Sequence, residues 1–460
     1  MEEGDTYDLH TRCTPCPKMP RQKLRVAIVG SGIGGLAMGV ALSKLGLVDV
    51  IQIDVYESTS KLVQVGAGIT IWPRAWEILQ NMGLESSLTQ RFPPDQRPPR
   101  RDELRTGFII RKGDMKEGVP IIDVHIPGGS VSFHRADVQD ALLEHVLPSV
   151  NTHLSHRLQR YRHIGDNEIE LEFRNGRKCV CDLLIGADGI NSAVRRTMLA
   201  ERQKWTEEET YAKSRPLWTG TIVYRSLIDS EIVRGECPNH TALTKPIVYA
   251  GKDKHIVAYP ISQGRLVYVI PFLSDPEKEG TYLDGPPVVE VSDDDFAPQF
   301  AAWENEVQVL IKNMVKPSRW AIQTVAPLDT YVSDSRNVLL LGDAAHAMPP
   351  HLGNGAGQAI EGAWILANLF AKASRMGNID VPKITEIYDL VRQPFGNFAA
   401  AASNRQGHFY ELNCPGFEDV KDGEALPQHK LDELASFIED GWSWTWGSAN
   451  DDLEKALNML

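Results

Sequence analysis

Several glycines and acids in this chain are spaced as if to hold a long ligand carrying hydroxyls and phosphates. Gly342-Asp343 closes the apolar run 338–341, setting a carboxylate where ribose or ribityl hydroxyls need an acceptor. Gly355, Ala356 and Gly357 leave the start of a following helix uncrowded, so its free N–H groups can face an anionic or electron-rich group. Near the other end, Gly30-x-Gly32-x-x-Gly35 follows the apolar residues 26–29. There Gly30 suits a tight turn, Gly32 a close approach to a pyrophosphate, and Gly35 the packing of helix on strand. Glu57 ends the next apolar run, 50–56, where an acid can accept from both hydroxyls of an adenosine ribose. The Gly35–Glu57 gap is slightly wide, with residues 47–50 as extra turn. Residues 181–189 repeat the theme as an apolar strand ending Gly186-Ala187-Asp188-Gly189, followed one helical turn on by Ser192, Val194 and Arg195. Arg135, close to a helix start in Ser132-Phe133-His134-Arg135-Ala136-Asp137, opposes the helix dipole and so points to an anion or polar ligand. Gly68 belongs to a small-residue bend, 65–69, where a planar ligand can lie against backbone. Each glycine turn also has an ordinary packing explanation.

The elements that must position these residues follow from periodicity. Residues 26–29 read as a buried strand and Leu36, Val40, Ala41, Leu42 and Leu45 as the apolar side of the helix behind it, which makes a dinucleotide-binding strand–turn–helix. Residues 90–112, rich in proline and arginine, read as a solvated loop, and a helix runs from about 135 to 147. Residues 219–225, 247–250, 255–260 and 265–272 read as strands joined too tightly for crossover helices, hence antiparallel. They form a sheet able to cover one face of a ligand. Asp293-Asp294-Asp295 reads as the solvated start of a helix over 296–314, not a metal site. After residue 382 come helical segments, with Trp442, Trp444 and Trp446 read as packing.

The chain has 460 residues, 42% hydrophobic and 24% charged, as expected of a globular protein with two or three domains. A net charge of −13 argues against a nucleic-acid partner. Six cysteines are too few and too irregular for a disulfide scaffold, so a reducing compartment is the default. Cys13 and Cys16 have metal-like spacing, but no second pair follows. No apolar run reaches 18 residues and no secretory leader opens the chain, which makes the cytoplasm the expected location and a membrane association unexpected.

The ordered set GSGIGG (30–35), HRAD (134–137), GADGINSAVR (186–195) and GDAAHAMPPHLGNGAGQAIEGA (342–363) resembles the single-component FAD-dependent aromatic hydroxylases. That group includes salicylate hydroxylase and para-hydroxybenzoate hydroxylase; the likeness is nearest to the salicylate-hydroxylase-like and fungal branches, over roughly residues 24–410. The resemblance implies an α/β fold: a Rossmann-like FAD-binding domain of the para-hydroxybenzoate hydroxylase type, a mostly antiparallel β-sheet substrate domain and a helical C-terminal region. It divides the chain into a flexible leader (1–22), a discontinuous FAD-binding domain (24–90, 133–215 and 325–380), a substrate domain (91–132 and 216–324) and the helical region (381–460). It implies tightly bound FAD, with Gly30, Gly32, Gly35 and Glu57 on its ADP half and Arg135 and Asp343, beside Gly342, on its ribityl-diphosphate. Gly68 would lie against the flavin, and the helix start at Gly355 and Ala356 would face the pyrimidine ring. Asp188 lies in a motif that serves both FAD and the transient reductant, NADH or NADPH. Three positions depart from the pattern: Arg74 where asparagine is common, Asn354 where glutamine is, and Ala347 where proline is.

In such enzymes a flavin C4a-hydroperoxide delivers electrophilic oxygen, so the aromatic partner must be electron-rich, and removing a hydroxyl proton makes it more so. Proton transfer of this kind contributes about 10²–10⁴-fold. His255 and Tyr259, four apart on one face of a strand, match the family's His-x-x-x-Tyr-Pro through Pro260. Arg225 resembles a substrate-anion arginine of the fungal dearomatising members. His255 as a hydrogen-bonded sheet residue, Tyr259 as core and Arg225 as surface stay open. His346 and His351 flank the Gly-Asp loop, and His351 is the one placed to approach the substrate. The expected function is NAD(P)H- and O2-dependent hydroxylation of a phenolic compound, with carbon dioxide lost if attack falls on the carboxylated carbon of a salicylate- or 4-hydroxybenzoate-like acid. Dearomatising hydroxylation of a polyketide phenol and a flavin-binding protein without turnover are the alternatives. No second glycine-rich fingerprint appears for the nicotinamide nucleotide, and a homodimer is left open.

Overall fold

The computed structural model describes residues 23–62, 68–92, 97–165, 167–202, 206–292 and 295–460. Cys13, Cys16, residues 65–67, Asp293 and Asp294 lie outside the described residues, and with them the expectations that fell there.

The apolar runs become a five-stranded parallel sheet in the order Val338–Leu340, Leu183–Gly186, Leu24–Val29, Ile51–Tyr56, Val150–His153. Its central strands are buried on both faces, which is why they read as continuous Val, Ile and Leu. Parallel register brings the carboxyl ends together: Val29 pairs with both Gly186 and Tyr56, and Gly186 pairs with Leu340. Gly30, Glu57, Ala187 and Leu341 therefore leave the sheet side by side, although the first and last stand more than three hundred positions apart in sequence. Helix Ile33–Lys44 packs against helix Gly355–Arg375, whose Ile360, Ile365, Leu366 and Leu369 are fully buried. Burying each such side chain stabilises by about 1.5–3 kcal/mol. A three-stranded antiparallel sheet, Leu158–His163, Ile169–Phe173 and Lys178–Cys181, covers one flank.

The second layer is an eight-stranded sheet in the order Val288–Glu290, Ser318–Thr324, Leu217–Asp229, Leu266–Thr281, Lys254–Ile261, Ile247–Gly251, Leu104–Lys112, Val119–Pro127. All pairs are antiparallel except Ile247–Gly251 with Leu104–Lys112. The strand Leu104–Lys112 corrects the expectation of a loop over 90–112. Phe108 and Ile110 alternate inward, while Arg105 and Arg111 find Glu103 and Glu304 as partners. The expected helix over 296–314 is also interrupted. A 3-10 turn, Ala297–Phe300, holds Pro298, and the helix proper is Asn305–Lys312. Helices Val381–Tyr410, Gln428–Ser443 and Asn450–Met459 complete the chain. Among the described residues no helix is long and apolar enough to cross a membrane.

Candidate active site

Between the carboxyl ends of the parallel sheet and one face of the eight-stranded sheet lies a cavity of about 370 Å3. Gly32, Gly34, Ala187, Gly189, Gly342, Asp343, Gly355 and Ala356 form one wall; Arg225, Val257, Tyr259, Tyr268, Ile270 and Phe272 form another. Trp72, Phe108, Tyr410 and Trp442 close an aromatic end.

The first wall is built by glycines with different duties. Gly30 has φ +105°, and a Cβ there would sit 2.2 Å from the Ala187 carbonyl oxygen; one at Gly35 would sit 1.9 Å from the Gly30 carbonyl oxygen. These two glycines let three segments of backbone touch. Gly32 differs, because a Cβ there meets nothing within 4 Å and the space above it belongs to the cavity. Gly32 caps helix Ile33–Lys44 with no side-chain hydrogen bond and no acid in the first turn, and Asn354 caps helix Gly355–Arg375 in the same way. The Asn354 side-chain amide nitrogen is buried without a partner. Two uncapped helix N-termini thus open onto one cavity, an arrangement that suits a diphosphate at one and an electron-rich ring at the other.

Asp343 follows Gly342 (φ +64°) onto the cavity wall. Its backbone is held by Arg195, a buried side chain that donates to the carbonyls of Ala344 (2.8 Å), Asp343 (3.5 Å), Ser214 (3.0 Å) and Ile190. Burial pulls the Arg195 guanidinium down to about 10. Asp343 is ringed by protein, yet its carboxylate opens onto the cavity. Its surroundings push its pKa up by desolvation, and the charges of Arg135 and Arg195 oppose this. The upward push acts in full only once a ligand displaces solvent from the cavity. Arg135 lines the same cavity.

Glu57 stands at its strand tip beside the glycine turn but does not line the cavity. Burial would raise its pKa, but five hydrogen bonds, from the Ser31 and Thr59 backbone N–H groups and the Ser31, Ser58 and Thr59 hydroxyls, hold it at about 2. Asp188 itself is turned towards the helix that follows it. Its carboxylate accepts from Ser192 Oγ (2.5 Å), Ala193 N (2.7 Å) and Val194 N (3.2 Å), so it is spent on starting helix Ala193–Glu201, and its neighbours Ala187 and Gly189 face the cavity instead. Gly68 lines the cavity flush with the opposite wall: a Cβ there would lie 2.3 Å from the Tyr259 hydroxyl.

On the second wall the Arg225 guanidinium lies 4.4 Å from the centroid of the Trp320 ring, and its Nε is buried without a partner. Among the described residues no carboxylate pairs with it. Tyr259 and Tyr268 meet edge to face at 5.5 Å. Burial keeps both phenols neutral by raising their pKa values, against the pull of Arg225. His255 shares the strand face of Val257 and Tyr259, as its spacing predicts, but it does not reach the cavity. It is wholly buried beneath Phe272, with ring centroids 4.1 Å apart and planes at 13°, and its Nδ1 lies 3.0 Å from Glu411 Oε1. Phe272 and His351 occupy the wall there. His346, pushed down by burial to about 3, packs against Tyr331, away from the cavity.

The aromatic end escaped the sequence reading because Tyr410 and Trp442 come from helices remote in the chain. Tyr268, Ile270 and Phe272 carried a usable signal in their alternation. Beneath the Gly355 helix start, Arg74 and Arg392 both bond Glu361, and Arg74 also reaches Asp452. Arg74, at the first turn of helix Pro73–Asn81, thus has a structural partner of its own. Among the described residues no group of three or more His, Cys, Asp or Glu could hold a metal ion.

Comparison with known proteins gives a consistent result. The FAD binding domain family matches residues 23–381. A salicylate hydroxylase of Pseudomonas putida is 34% identical over 413 residues, covering 88% of this chain and 89% of its own. A 6-methylsalicylate 1-monooxygenase of Aspergillus terreus is 31% identical over 363 residues, covering 77% and 76%. A solved salicylate hydroxylase substrate complex superposes with a TM-score of 0.77 at 27% identity, over 94% of this chain and 98% of that one.

Proposed function

Because this chain belongs to the FAD binding domain family and, within it, to the FAD-dependent aromatic monooxygenases, we propose that it hydroxylates a hydroxybenzoate of the salicylate type, held by its carboxylate on Arg225. The observation that carries this reading is the lone guanidinium, desolvated on one side and without a carboxylate partner among the described residues, on a wall otherwise of aromatic and aliphatic side chains. A cation placed so gains a charge-assisted, bidentate pair when a carboxylate arrives.

FAD, when bound, takes hydride from NADH or NADPH and activates dioxygen for transfer to the ring. The chain's own residues would do the rest. Gly30, Gly32, Gly35 and Glu57 would seat the ADP half, and Arg135 and Asp343, beside Gly342, the ribityl-diphosphate. The helix start at Gly355 and Ala356 would stabilise negative charge on the reduced ring by its dipole. Tyr259, neutral and set against Gly68, would hydrogen-bond the substrate hydroxyl. The aromatic end excludes water, which strengthens these contacts. One oxygen atom enters the product and the other leaves as water; where the attacked carbon bears the carboxylate, that group departs as carbon dioxide.

The test is a panel of salicylate, 4-hydroxybenzoate and acylated resorcinols, following NADH and NADPH consumption, product mass and carbon dioxide. Substrate-stimulated turnover with a hydroxybenzoate supports the reading. Turnover confined to acylated resorcinols would replace it with dearomatising hydroxylation.

A further inference from the structure

One row of side chains crosses the eight-stranded sheet beneath the cavity. Arg225, between the pairs Val223–Phe272 and Ser226–Val269, stands opposite Ile270. Ile270 pairs with Val257, and Val257 with Val248, on the next two strands. All four line the cavity, and so does Phe108 on the strand beyond. Neighbouring strands lie about 4.8 Å apart, so about 14 Å of backbone separates Arg225 from Val248. The Arg225 guanidinium leans the other way, onto Trp320 of the strand on its far side, which lengthens the span. A benzoate, a few carbon–carbon bonds of about 1.5 Å, covers about half of it. A hydroxybenzoate held at Arg225 therefore leaves the far half of this floor open.

Beyond Val248 the aromatic end is closed by Trp442, which meets Trp72 edge-on at 4.8 Å and stacks on Phe108 at 5.6 Å with planes 30° apart. Both indole N–H groups are engaged: Trp72 Nε1 donates to the Leu352 carbonyl and Trp442 Nε1 to the Tyr410 hydroxyl, each at 2.9 Å. Neither indole has a donor left for a ligand, so what enters here must be apolar. Helix Gln428–Ser443 fixes Trp442 in place. Its Leu434 and Ile438 are fully buried, and at Gly441 a Cβ would lie 1.9 Å from Gln406 Oε1 of helix Val381–Tyr410. Tyr410 and Trp442 both lie beyond residue 381, where the match to the FAD binding domain family stops. This end of the cavity is thus built by a part of the chain outside that match.

We propose that the aromatic end is a subsite for an apolar substituent of the substrate, an alkyl chain on the ring carbon para to the carboxylate, and that Trp442 sets the length of chain it takes. The inference rests on the hydroxybenzoate reading above and narrows it. With the carboxylate on Arg225, the para carbon faces along the row towards Val248. A chain there displaces water from Val257 and Val248 and ends against Phe108 and Trp442. A chain on the free ortho carbon, beside the carboxylate, stays at the Arg225 end and gains none of these contacts.

The test uses the FAD-loaded full chain and salicylates carrying methyl, propyl, pentyl or heptyl at the para carbon, with the same chains at the free ortho carbon for comparison, following NADH and NADPH consumption and product mass. In the parent enzyme kcat/KM should rise about four-fold for each of the first methylenes at the para carbon, the ratio for burying one methylene, and fall once the chain meets Trp442. Chains at the ortho carbon should give no rise. Trp442→Ala, and Trp442→Phe with an apolar ring kept in the core, should move the break to longer chains. The ratio of kcat/KM for the heptyl to the methyl compound should then grow by about 10-fold, the equivalent of nearly two further methylenes, and this ratio does not depend on how much of a variant folds. An equal rise at the ortho carbon, a fall on adding the first para methyl, or an unmoved break in both Trp442 variants overturns the subsite. If no hydroxybenzoate, substituted or plain, stimulates NADH or NADPH oxidation, the hydroxybenzoate reading fails and the subsite with it.

Discussion

On the proposed pairing of Arg225 with a substrate carboxylate, its replacement should separate acids from plain phenols. With Arg225→Gln, KM for a hydroxybenzoate should rise about 10–150-fold, the equivalent of the roughly 1.5–3 kcal/mol of a charged hydrogen bond, while a phenol without a carboxylate shifts little. Equal effects on both would remove the proposed pairing. Glu57 yields a pH prediction. Its carboxyl is held at about 2 against an ordinary 4.5, so the stabilisation is complete above 4.5 and is lost as pH falls from 4.5 towards 2. The difference in urea midpoint between the parent protein and Glu57→Gln should therefore be largest near neutrality and shrink by pH 3. At this scale the tight turn at Gly30 and the packing at Gly35 were readable, and so were Gly32, Gly68, Gly342 and Asp343 as residues facing a cavity, because turn and helix-start requirements are local. The helix start that takes up the Asp188 carboxylate was not read. For His255, alternation along a strand tells which face a side chain takes but not how far along the wall the cavity extends. Glu411 was unreadable, as its contact with His255 spans 156 residues.

The two helix starts make a comparison within one element. Gly32→Ala should leave the melting temperature of the FAD-free protein within a degree or two, because its Cβ meets nothing, yet weaken FAD binding in a fluorescence titration. Gly35→Ala should abolish soluble expression or lower the melting temperature sharply, because its Cβ would meet the Gly30 carbonyl oxygen at 1.9 Å. Similar behaviour of the two variants would contradict the division between a ligand-facing and a packing glycine. Strands with clean alternation were legible, and so was the long Gly355–Arg375 helix. Leu104–Lys112 was hidden by its arginines; Arg105 pairs with the nearby Glu103, but the partner of Arg111, Glu304, comes from far along the chain. The break at Pro298 went unread although proline was in plain view.

For the whole molecule, Glu361 joins four parts. It bonds Arg74 of helix Pro73–Asn81 and Arg392 of helix Val381–Tyr410, and through Arg74 it is linked to Asp452 of helix Asn450–Met459. Burial opposes its ionisation, but the two arginines outweigh this and hold its pKa low. Glu361→Gln would leave two buried guanidiniums short of charge and should cost about 3–5 kcal/mol in urea unfolding of the FAD-loaded protein. A loss below about 1 kcal/mol would show that the network contributes little. The parallel sheet and antiparallel layer were visible in the sequence as runs of different character. The closing of the cavity by Tyr410 and Trp442 was not, because such long-range meetings leave no local period. The most direct measurement of the central claim is turnover of salicylate with NADH under 18O2. The expected result is a yellow protein whose product carries one 18O atom. NADH oxidation that yields only hydrogen peroxide, with every aromatic acid and phenol returned unlabelled, would contradict it.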